Sequence, residues 1–340
     1  MKCAVRRAAA SIEFAVDEPI PLPTKGVVRV KVKAASLNPI DYKMPVMSLG
    51  KYVGCDVAGV VDQVHPSVTE FAVGDEVFGV TQFGKSGGIA EFCLCEAKML
   101  AKKPTDLSFE KAAGAVVSYI TSYGALVDKA KGGMKAGDFV LVIGASGGCG
   151  LAAVQLAKAL GAAQIVGVCR SCNHELVLKA GATRCVDYSD PIAYAAMVNT
   201  DKFDVIFDTA TAADWHKQPG SSQSTNYWPD GAKMLKTDRR SRHVSISGTY
   251  GQWFLTLFGL SGKQKVVFMD LSKVRVDLEE ISRLLTTIDT HICLVAPLTA
   301  EGLRAAVDNI RSRHAQGKVV ISMEASSGVP PVTTVRSQGN

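Results

Sequence analysis

Short hydrophobic runs separated by polar turns dominate the first 120 residues. Runs with strand-like spacing occupy 27–34, 56–64, 76–80 and 90–94, and glycine, aspartate and serine cluster between them. Short runs that are rich in valine and bounded by such turns are typical of β-strands. The first third of the chain is therefore predicted to form a compact β-rich domain.

From about residue 119 the pattern changes to alternating strands and helices. Apolar runs of strand length alternate with segments whose apolar positions repeat every three to four residues, as in an amphipathic helix. This alternation predicts a doubly wound α/β domain with a parallel sheet. The predicted strands are 140–143, 165–168, 205–207 and 244–247, followed by helices at 278–287 and 301–311 and a last strand at 318–323.

The segment 139–161 carries the most informative pattern, reading FVLVIGASGGCGLAAVQLAKALG. A buried strand is followed by a glycine-rich turn and a helix, which Gly161 is placed to end. This order suits a dinucleotide pyrophosphate, because small residues let the backbone approach the phosphates and the helix N-terminus offers free N–H groups. Ala145 replaces the first glycine of G-x-G-x-x-G. A tight turn of an ordinary α/β domain is the alternative.

The end of the next strand favours NADPH over NADH. A cofactor without the 2′-phosphate usually meets an acidic residue about 20 residues beyond the glycine turn. Cys169, Arg170 and Ser171 occupy that place, and the first acid after them is Glu175. A guanidinium and a hydroxyl attract and hydrogen-bond a phosphate, whereas a carboxylate repels one. The alternative is a solvent-exposed arginine on a loop.

The composition predicts a soluble globular protein. The chain has 340 residues, 47% of them hydrophobic, a mean hydropathy of +0.14 and a net charge of +6. No apolar run approaches the length of a membrane span, and the N-terminus lacks an apolar signal core, so we expect a cytoplasmic protein. The basic stretch 236–242 is interpreted as a solvated loop, with nucleic-acid binding a distant alternative.

Nine cysteines are spread through the chain. Cys93 and Cys95 share one face of a predicted strand, and Cys169 and Cys172 form a C-x-x-C pair without a second pair to complement it. Neither arrangement supplies the four ligands of a structural zinc site. We interpret the cysteines as reduced thiols of a cytosolic-type protein.

Residues 216–241 lack a clear period. The stretch is rich in proline, glycine, serine and charged residues, although the neighbouring Trp215 and the internal Tyr227 and Trp228 favour an ordered segment. A long irregular loop in a compact domain is either functional or disordered, and both interpretations stay open here. The polar tail 325–340 is expected to be loose.

Several short motifs make the chain similar to a known family. Residues 1–323 resemble the zinc-free quinone oxidoreductases of the medium-chain dehydrogenase/reductase superfamily. The motifs are SLNPIDYK at 36–43, GCDVAGVV at 54–61, VGDEV at 73–77, GIAEF at 88–92, the glycine turn and VDY at 186–188.

The resemblance implies two domains. A GroES-like, β-rich catalytic domain is expected from 1–120 and 272–340, and a Rossmann dinucleotide-binding domain from 121–271. It also implies an active-site cleft between them and a homodimer joined through the dinucleotide domains.

The resemblance further implies that this chain lacks the catalytic metal of its zinc-bearing relatives. Their ligand positions hold Asn38, Cys55 followed by Asp56, and Val117 in this sequence. One thiol beside a carboxylate is not a catalytic zinc set, so no metal is expected.

The expected lack of a catalytic metal restricts the reactions that the site could catalyse. Without a Lewis acid, alcohol oxidation loses its means of stabilising an alkoxide, whereas quinones and activated C=C bonds delocalise the charge of an incoming hydride themselves. We expect an NADPH-dependent quinone reductase. The alternatives are an alkenal or enone reductase with the same machinery, and a non-catalytic NADPH-binding protein with a structural or regulatory role.

The family also implies the site residues. Asn38, Tyr42 and Lys43 are the catalytic candidates, close to the charge that develops on the acceptor, with Asp41 orienting Lys43. The alternative is a turn at Asn38 followed by surface residues. The expected cofactor contacts are Thr121 at the nicotinamide, Ser146, Gly147, Gly148, Cys149 and Gly150 at the pyrophosphate, Arg170, Ser171 and Tyr188 at the 2′-phosphate, and Ser247 and Gly248 beside the nicotinamide pocket.

Overall fold

The computed structural model describes residues 1–7, 11–43, 50–82, 84–128, 131–211, 226–267 and 269–324. The chain divides into two compact units. Met1–Val117 and Leu271–Asn340 make the first, and Ser118–Asp270 makes the second. Among the described residues, no helix combines the length and the apolarity needed to cross a membrane.

The first unit is built around a seven-stranded mixed sheet. Its long strand β3 pairs antiparallel with β4, β6 and β15, and the full order is β14-β15-β3-β4-β5-β7 with β6 beside β3. A separate two-stranded sheet joins β1 and β2. The strands are β1 (Cys3–Arg6), β2 (Ile12–Ala15), β3 (Val27–Leu37), β4 (Asp56–Val64), β5 (Glu76–Val80), β6 (Phe92–Glu96), β7 (Leu100–Lys102), β14 (Ile292–Pro297) and β15 (Lys318–Ser322).

Helix α9 (Ala300–Arg311) packs its apolar face against this sheet. Leu303, Ala306, Val307 and Ile310 recur at helical spacing, and all four are buried. They join the core formed by β14 and β15, so one face of α9 is removed from water. Thr299 begins the helix by accepting a hydrogen bond from the Gly302 N–H at 3.0 Å. The other helices that begin in this unit are α1 (Pro39–Lys43), α2 (Phe109–Val127), which continues into the second unit, and α8 (Val274–Leu284).

The second unit is a doubly wound parallel sheet, as the alternating pattern predicts. The strand order is β10-β9-β8-β11-β12-β13, and every described pair is parallel. The direction of winding reverses between β8 and β11, the position at which such sheets bind ligands beyond their carboxyl ends. The strands are β8 (Phe139–Ile143), β9 (Gln164–Val168), β10 (Arg184–Val186), β11 (Val205–Asp208), β12 (Arg242–Ser245) and β13 (Gln264–Val266).

Five helices lie wholly within the second unit's described residues. They are α3 (Gly148–Ala159), α4 (His174–Ala180), α5 (Pro191–Thr200), α6 (Trp228–Met234) and α7 (Tyr250–Leu257).

The stretch 216–241 is only partly the irregular loop expected from the sequence. Trp215 and residues 216–225 lie outside the described residues, but Trp228–Met234 is helical, and Tyr227 and Trp228 are buried. The basic stretch 236–242 is anchored rather than freely solvated. Arg240 binds both carboxylate oxygens of Asp138, at 2.6 and 2.7 Å, and Lys236 binds Asp204 at 2.6 Å. The tail 325–340 also lies outside the described residues.

Candidate active site

The turn after β3 is fixed by a buried carboxylate. Asp41 accepts a hydrogen bond from the Asn38 backbone N–H at 2.8 Å, and its own N–H donates to the Asn38 carbonyl at 2.9 Å. Its other oxygen accepts from Gly54 N at 3.3 Å. Burial, opposed by the bond from Asn38, raises the pKa of Asp41 to about 6, and the charge of Asp56 adds to the rise. Asp41 therefore holds the backbone on which Asn38 sits.

The expected pairing of Asp41 with Lys43 is wrong. Asp41 turns inward, away from solvent, and its ion-pair partner is Arg6, with an N–O distance of 3.7 Å. The alternative that 41–43 are simple surface residues is also wrong, because Asp41 and Tyr42 are buried and Lys43 is half-buried. The five-residue helix α1 turns these side chains inward, which no period in so short a segment reveals.

The positions that hold zinc ligands in metal-bearing relatives lie together here around a lysine. Lys318 donates from Nζ to Asn38 Oδ1 at 2.7 Å and to Asp56 Oδ2 at 3.1 Å. Asp56 Oδ2 also accepts from Asn38 Nδ2 at 2.9 Å and from the Ser36 hydroxyl, and its Oδ1 accepts from Val117 N at 3.2 Å. The Lys318 side chain is 5% exposed and the Asp56 side chain 0%. A compensated buried ion pair thus occupies this place.

Cys55 is a neutral thiol in this arrangement. Its Sγ donates to Asp41 Oδ1 at 3.7 Å. Burial, together with the charges of Asp41 and Asp56, raises the pKa of the thiol well above its usual range. A metal needs the thiolate, so Cys55 is a poor ligand. Within the described residues, no group of three or more histidine, cysteine, aspartate or glutamate side chains is arranged to hold a metal ion.

Tyr42 and Lys43 lie in different surroundings from Asn38. Tyr42 belongs to the hydrophobic core of its unit, and the Arg311 guanidinium lies 5.7 Å from the centre of its ring. Burial raises the pKa of the Tyr42 hydroxyl. Burial and the nearby charge of Arg313 lower the pKa of Lys43 to about 8. No hydrogen bond described in this part of the chain joins either side chain to Asn38.

The glycine turn of the second unit requires its small residues. Gly144 has a φ of +78°, and a Cβ there would lie 2.5 Å from Thr209 Oγ1 at the end of β11. A Cβ on Gly150 would lie 2.1 Å from the Gly144 carbonyl oxygen, so only glycine lets α3 pack this closely on β8. Gly147, at the start of α3, has no side-chain cap, which suits a bound anion. The turn fits a dinucleotide pyrophosphate.

Two further groups of expected cofactor residues lie near the carboxyl ends of β8 and β12. On α2, the half-buried Thr121 precedes Ser122, whose hydroxyl donates to the Cys149 carbonyl at 2.8 Å and ties the helix to the glycine turn. Ser247 accepts from the Ser245 hydroxyl at 2.6 Å, just beyond β12. A Cβ on the adjacent Gly248 would lie 2.7 Å from the Val266 side chain.

The residues expected at the 2′-phosphate come together in the structure. Arg170 Nε donates to the Tyr188 hydroxyl at 2.9 Å. Asn173 lies in the loop that follows β9. Its Nδ2 donates to Ser146 Oγ at 3.1 Å and joins this loop to the glycine turn. Ser171, whose side chain is exposed, follows Arg170 directly.

An acid accompanies this group. Asp187 Oδ2 accepts from Ser171 N at 2.6 Å, and Oδ1 accepts from Ser189. Burial raises the pKa of Asp187, but the bonds from Ser189 and Ser171 outweigh it and hold the pKa at about 2, so the group is ionised. The sequence has no acidic residue directly after β9. Asp187, at the end of β10, supplies a carboxylate to the same loop.

Sequence reasoning missed three residues of these arrangements. Lys318 is the first residue of β15, the last strand among the described residues, 280 positions from Asn38, and its sequence context is that of an ordinary strand residue. Asp187 belongs to the VDY motif at 186–188. A prediction that β10 pairs with β9 would have placed it beside Ser171. Ser122 sits next to Thr121, and only the fold shows which of the two touches the turn.

Comparison with known protein families agrees with both units. Residues 24–105 match the alcohol dehydrogenase GroES-like domain, and residues 148–218 match the zinc-binding dehydrogenase family. The expected fold, a GroES-like domain with a Rossmann-type parallel sheet, is confirmed. In structure, the chain is similar to Escherichia coli quinone oxidoreductase solved with NADPH, with a TM-score of 0.75, 23% identity, and coverage of 95% of this chain and 100% of that one.

Two curated relatives define the degree of similarity in sequence. A chloroplast envelope quinone oxidoreductase homolog from Arabidopsis thaliana is 36% identical over 54% of this chain and 58% of its own length. The match therefore spans about three fifths of that relative. A trans-enoyl reductase from a Penicillium species is 34% identical over 74% of this chain and 80% of its own length. The chain belongs to the medium-chain dehydrogenase/reductase superfamily, as a quinone oxidoreductase-like member.

Proposed function

We propose that this protein is an NADPH-dependent, zinc-independent oxidoreductase that reduces a quinone. The observation that carries the proposal is the Lys318 ammonium, bound to Asn38 and Asp56 where metal-bearing relatives have zinc ligands. In this proposal the Met1–Val117 and Leu271–Asn340 unit is catalytic, and the Ser118–Asp270 unit binds the cofactor.

The donor set argues for chemistry without zinc. The Asp56 carboxylate already has a counter-charge 3.1 Å away in Lys318, and a divalent cation beside that ammonium would be repelled. Asn38 is a weak ligand for zinc compared with the thiolate it replaces, and Cys55 is held as a neutral thiol. The positive charge of Lys318 therefore already balances the negative charge of Asp56 in this buried site.

The cofactor assignment rests on the geometry of the second unit. The glycine turn from Ser146 to Gly150 would hold the pyrophosphate, and Arg170 with Tyr188 would bind the 2′-phosphate. Thr121 and the Ser247–Gly248 segment would border the nicotinamide. When bound, NADPH supplies the hydride. The solved Escherichia coli quinone oxidoreductase with NADPH supports the same choice of cofactor.

The acceptor class follows from what the catalytic residues offer. A quinone spreads the charge of an added hydride over its own oxygens, so the protein needs a hydrogen-bond donor and a proton source, not a Lewis acid. Asn38 would donate an N–H to the oxygen, and Lys43, whose pKa is about 8, is protonated at neutral pH and would supply the proton. Tyr42 would act as a wall of the site.

A second acceptor class has support of its own. One relative, which is 34% identical over 74% of this chain, is named a trans-enoyl reductase, and an enone presents the same electrophilic carbon and the same developing oxyanion as a quinone. Reduction of an α,β-unsaturated carbonyl is therefore the alternative activity. The homodimer and the cytoplasmic location stay predictions, which size-exclusion chromatography with light scattering and cell fractionation would test.

An acceptor screen tests the proposal. NADPH oxidation is followed with a simple quinone, with a simple enone and without acceptor, and the products are identified. We expect hydroquinone in a one-to-one ratio to NADPH consumed. Faster turnover of the enone would replace quinone reduction by the alternative activity. Tight NADPH binding without turnover of either acceptor would overturn both and favour the non-catalytic role.

A further inference from the structure

The side-chain amide of Asn38 is oriented by two charged groups. Oδ1 accepts from the Lys318 ammonium at 2.7 Å, and Nδ2 donates to the Asp56 carboxylate at 2.9 Å. An amide turned by 180° would set its NH2 group against the ammonium and its oxygen against the carboxylate. Both contacts would be repulsive, so the charges select one orientation.

These bonds use one of the two side-chain N–H groups of Asn38 and leave the other available to donate. An amide carries two N–H bonds, and Asp56 takes one of them. The backbone on both sides is fixed by Asp41, and Asn38 itself is only 5% exposed. The remaining N–H therefore has a defined direction, which is what a group that stabilises a developing charge requires.

We propose that Lys318 is a positioning residue for the reaction: its ammonium fixes the Asn38 amide so that the remaining Nδ2–H is presented to the acceptor oxygen. This inference rests on the proposed function, because it assumes an acceptor whose oxygen gains negative charge. Lys318 itself acts through Asn38 and does not touch the acceptor.

Loss of the ammonium would free the amide. Without Lys318 the Asn38 oxygen has lost its donor, and Asp56 has lost its counter-charge inside the protein. The amide is then held at its Nδ2 end alone, by the single bond to Asp56, and it can rotate about that bond. The remaining N–H loses its fixed direction, so it stabilises the developing charge on the acceptor less well.

A double-mutant cycle tests this dependence. Lys318→Met is expected to lower kcat for the quinone by up to about a hundredfold, the lower end of the range for loss of an oxyanion donor, with an unchanged KM for NADPH. Asn38→Ala is expected to lose as much or more. If Lys318 acts through Asn38, the double variant loses no more than Asn38→Ala alone. Losses that multiply would overturn the inference, as would a folded Lys318→Met with the kcat of the wild type.

Three further variants separate positioning from folding. Lys103 is an equally buried lysine of the same unit, with its Nζ bonded to the Leu107 carbonyl at 2.6 Å and paired with Glu76 at 3.0 Å. Lys103→Met should lower Tm but leave kcat unchanged. Lys318→Arg keeps the cation and should restore part of kcat. The charge-balanced Asp56→Asn/Lys318→Met removes both charges together and provides a folded protein if Lys318→Met unfolds; it should show the same low kcat.

A spectroscopic measurement separates this inference from the proposed function. With 15N-asparagine labelling and assignment by Asn38→Ser, the Nδ2 protons of Asn38 should exchange slowly with water in the wild type and much faster in Lys318→Met. Equal exchange rates in the two proteins would overturn the fixed orientation. If the protein reduces neither quinones nor enones, the proposed function fails, and the difference in exchange would still establish that Lys318 holds the amide.

Discussion

Arg170 donates a hydrogen bond from its guanidinium Nε to the hydroxyl of Tyr188 at 2.9 Å. This bond holds a permanent positive charge just beyond strands β9 and β10. Arg170→Ala should raise KM for NADPH by about tenfold or more, the effect expected for loss of a charged hydrogen bond to phosphate, and change KM for NADH by less than about twofold. Steady-state kinetics with both cofactors provide the check.

Tyr188→Phe is the matched control for Arg170. It removes the hydroxyl that orients the guanidinium but leaves the charge, so its effect on KM for NADPH should be smaller. An equal loss for NADPH and NADH in Arg170→Ala would show that Arg170 does not bind the 2′-phosphate.

Asp187 opposes the charge of Arg170 in the same group of residues. Its pKa of about 2 keeps it ionised at any assay pH, and it lies 2.6 Å from the Ser171 N–H. Asp187→Asn keeps an oxygen for that bond but removes the negative charge. We expect KM for NADPH to fall by about twofold to fivefold, in the range of an exposed charge pair, with NADH unaffected. A shift of preference towards NADH would contradict the assignment of this loop.

Lys43 should give the reaction a characteristic pH dependence. Burial and the charge of Arg313 lower its pKa to about 8, and only the ammonium form can give a proton. Activity is therefore expected to be full below pH 8 and to decline as pH rises through that value. Lys43→Arg stays charged and should lose the decline, while Lys43→Ala should lower kcat/KM for an enone without unfolding. A pH profile that is the same in all three proteins would remove Lys43 from the mechanism.

Asp41 should make stability depend on pH in the opposite sense to an acid whose pKa is lowered by folding. Its pKa is about 6 in the folded protein, against about 3.9 in an unfolded chain, so the folded state binds the proton more tightly. Its contribution to stability is fully present below pH 4 and is lost as pH rises through 6. Two pKa units correspond to about 3 kcal/mol.

The measurement compares the wild type with Asp41→Asn, whose neutral amide does not titrate. The free energy of unfolding of the wild type, relative to the variant, should fall between pH 4 and pH 6, as read from urea denaturation. Parallel curves for the two proteins across this range would show that Asp41 has an ordinary pKa.

Elements whose signals are local could be predicted from the sequence. Strands at 56–64 and 76–80 are found with the predicted bounds, because valine-rich runs there end at clear turn residues. The glycine turn is found between β8 and α3, since strand, turn and helix are consecutive in the chain. The helix predicted at 278–287 instead covers Val274–Leu284, as helix ends carry weaker signals than helix faces.

The contacts that define the candidate site are not local. Lys318 reaches Asn38 only because β15 pairs with β3, with Val319 opposite Leu37. Asp187 reaches Ser171 because β10 pairs with β9. Asp41 points inward because the short helix α1 follows β3 directly and brings the carboxylate to the Gly54 N–H and to Arg6. Each relationship depends on strand pairing or burial, which composition and spacing do not encode.

Activity of the metal-depleted protein tests the central claim most directly. The protein is treated with a chelator, its metal content is measured by mass spectrometry, and NADPH oxidation with a simple quinone is followed before and after addition of zinc. We predict the same kcat in the metal-depleted and untreated protein, with hydroquinone formed and no gain from zinc. Loss of activity on metal removal that is restored by one equivalent of zinc would contradict the account.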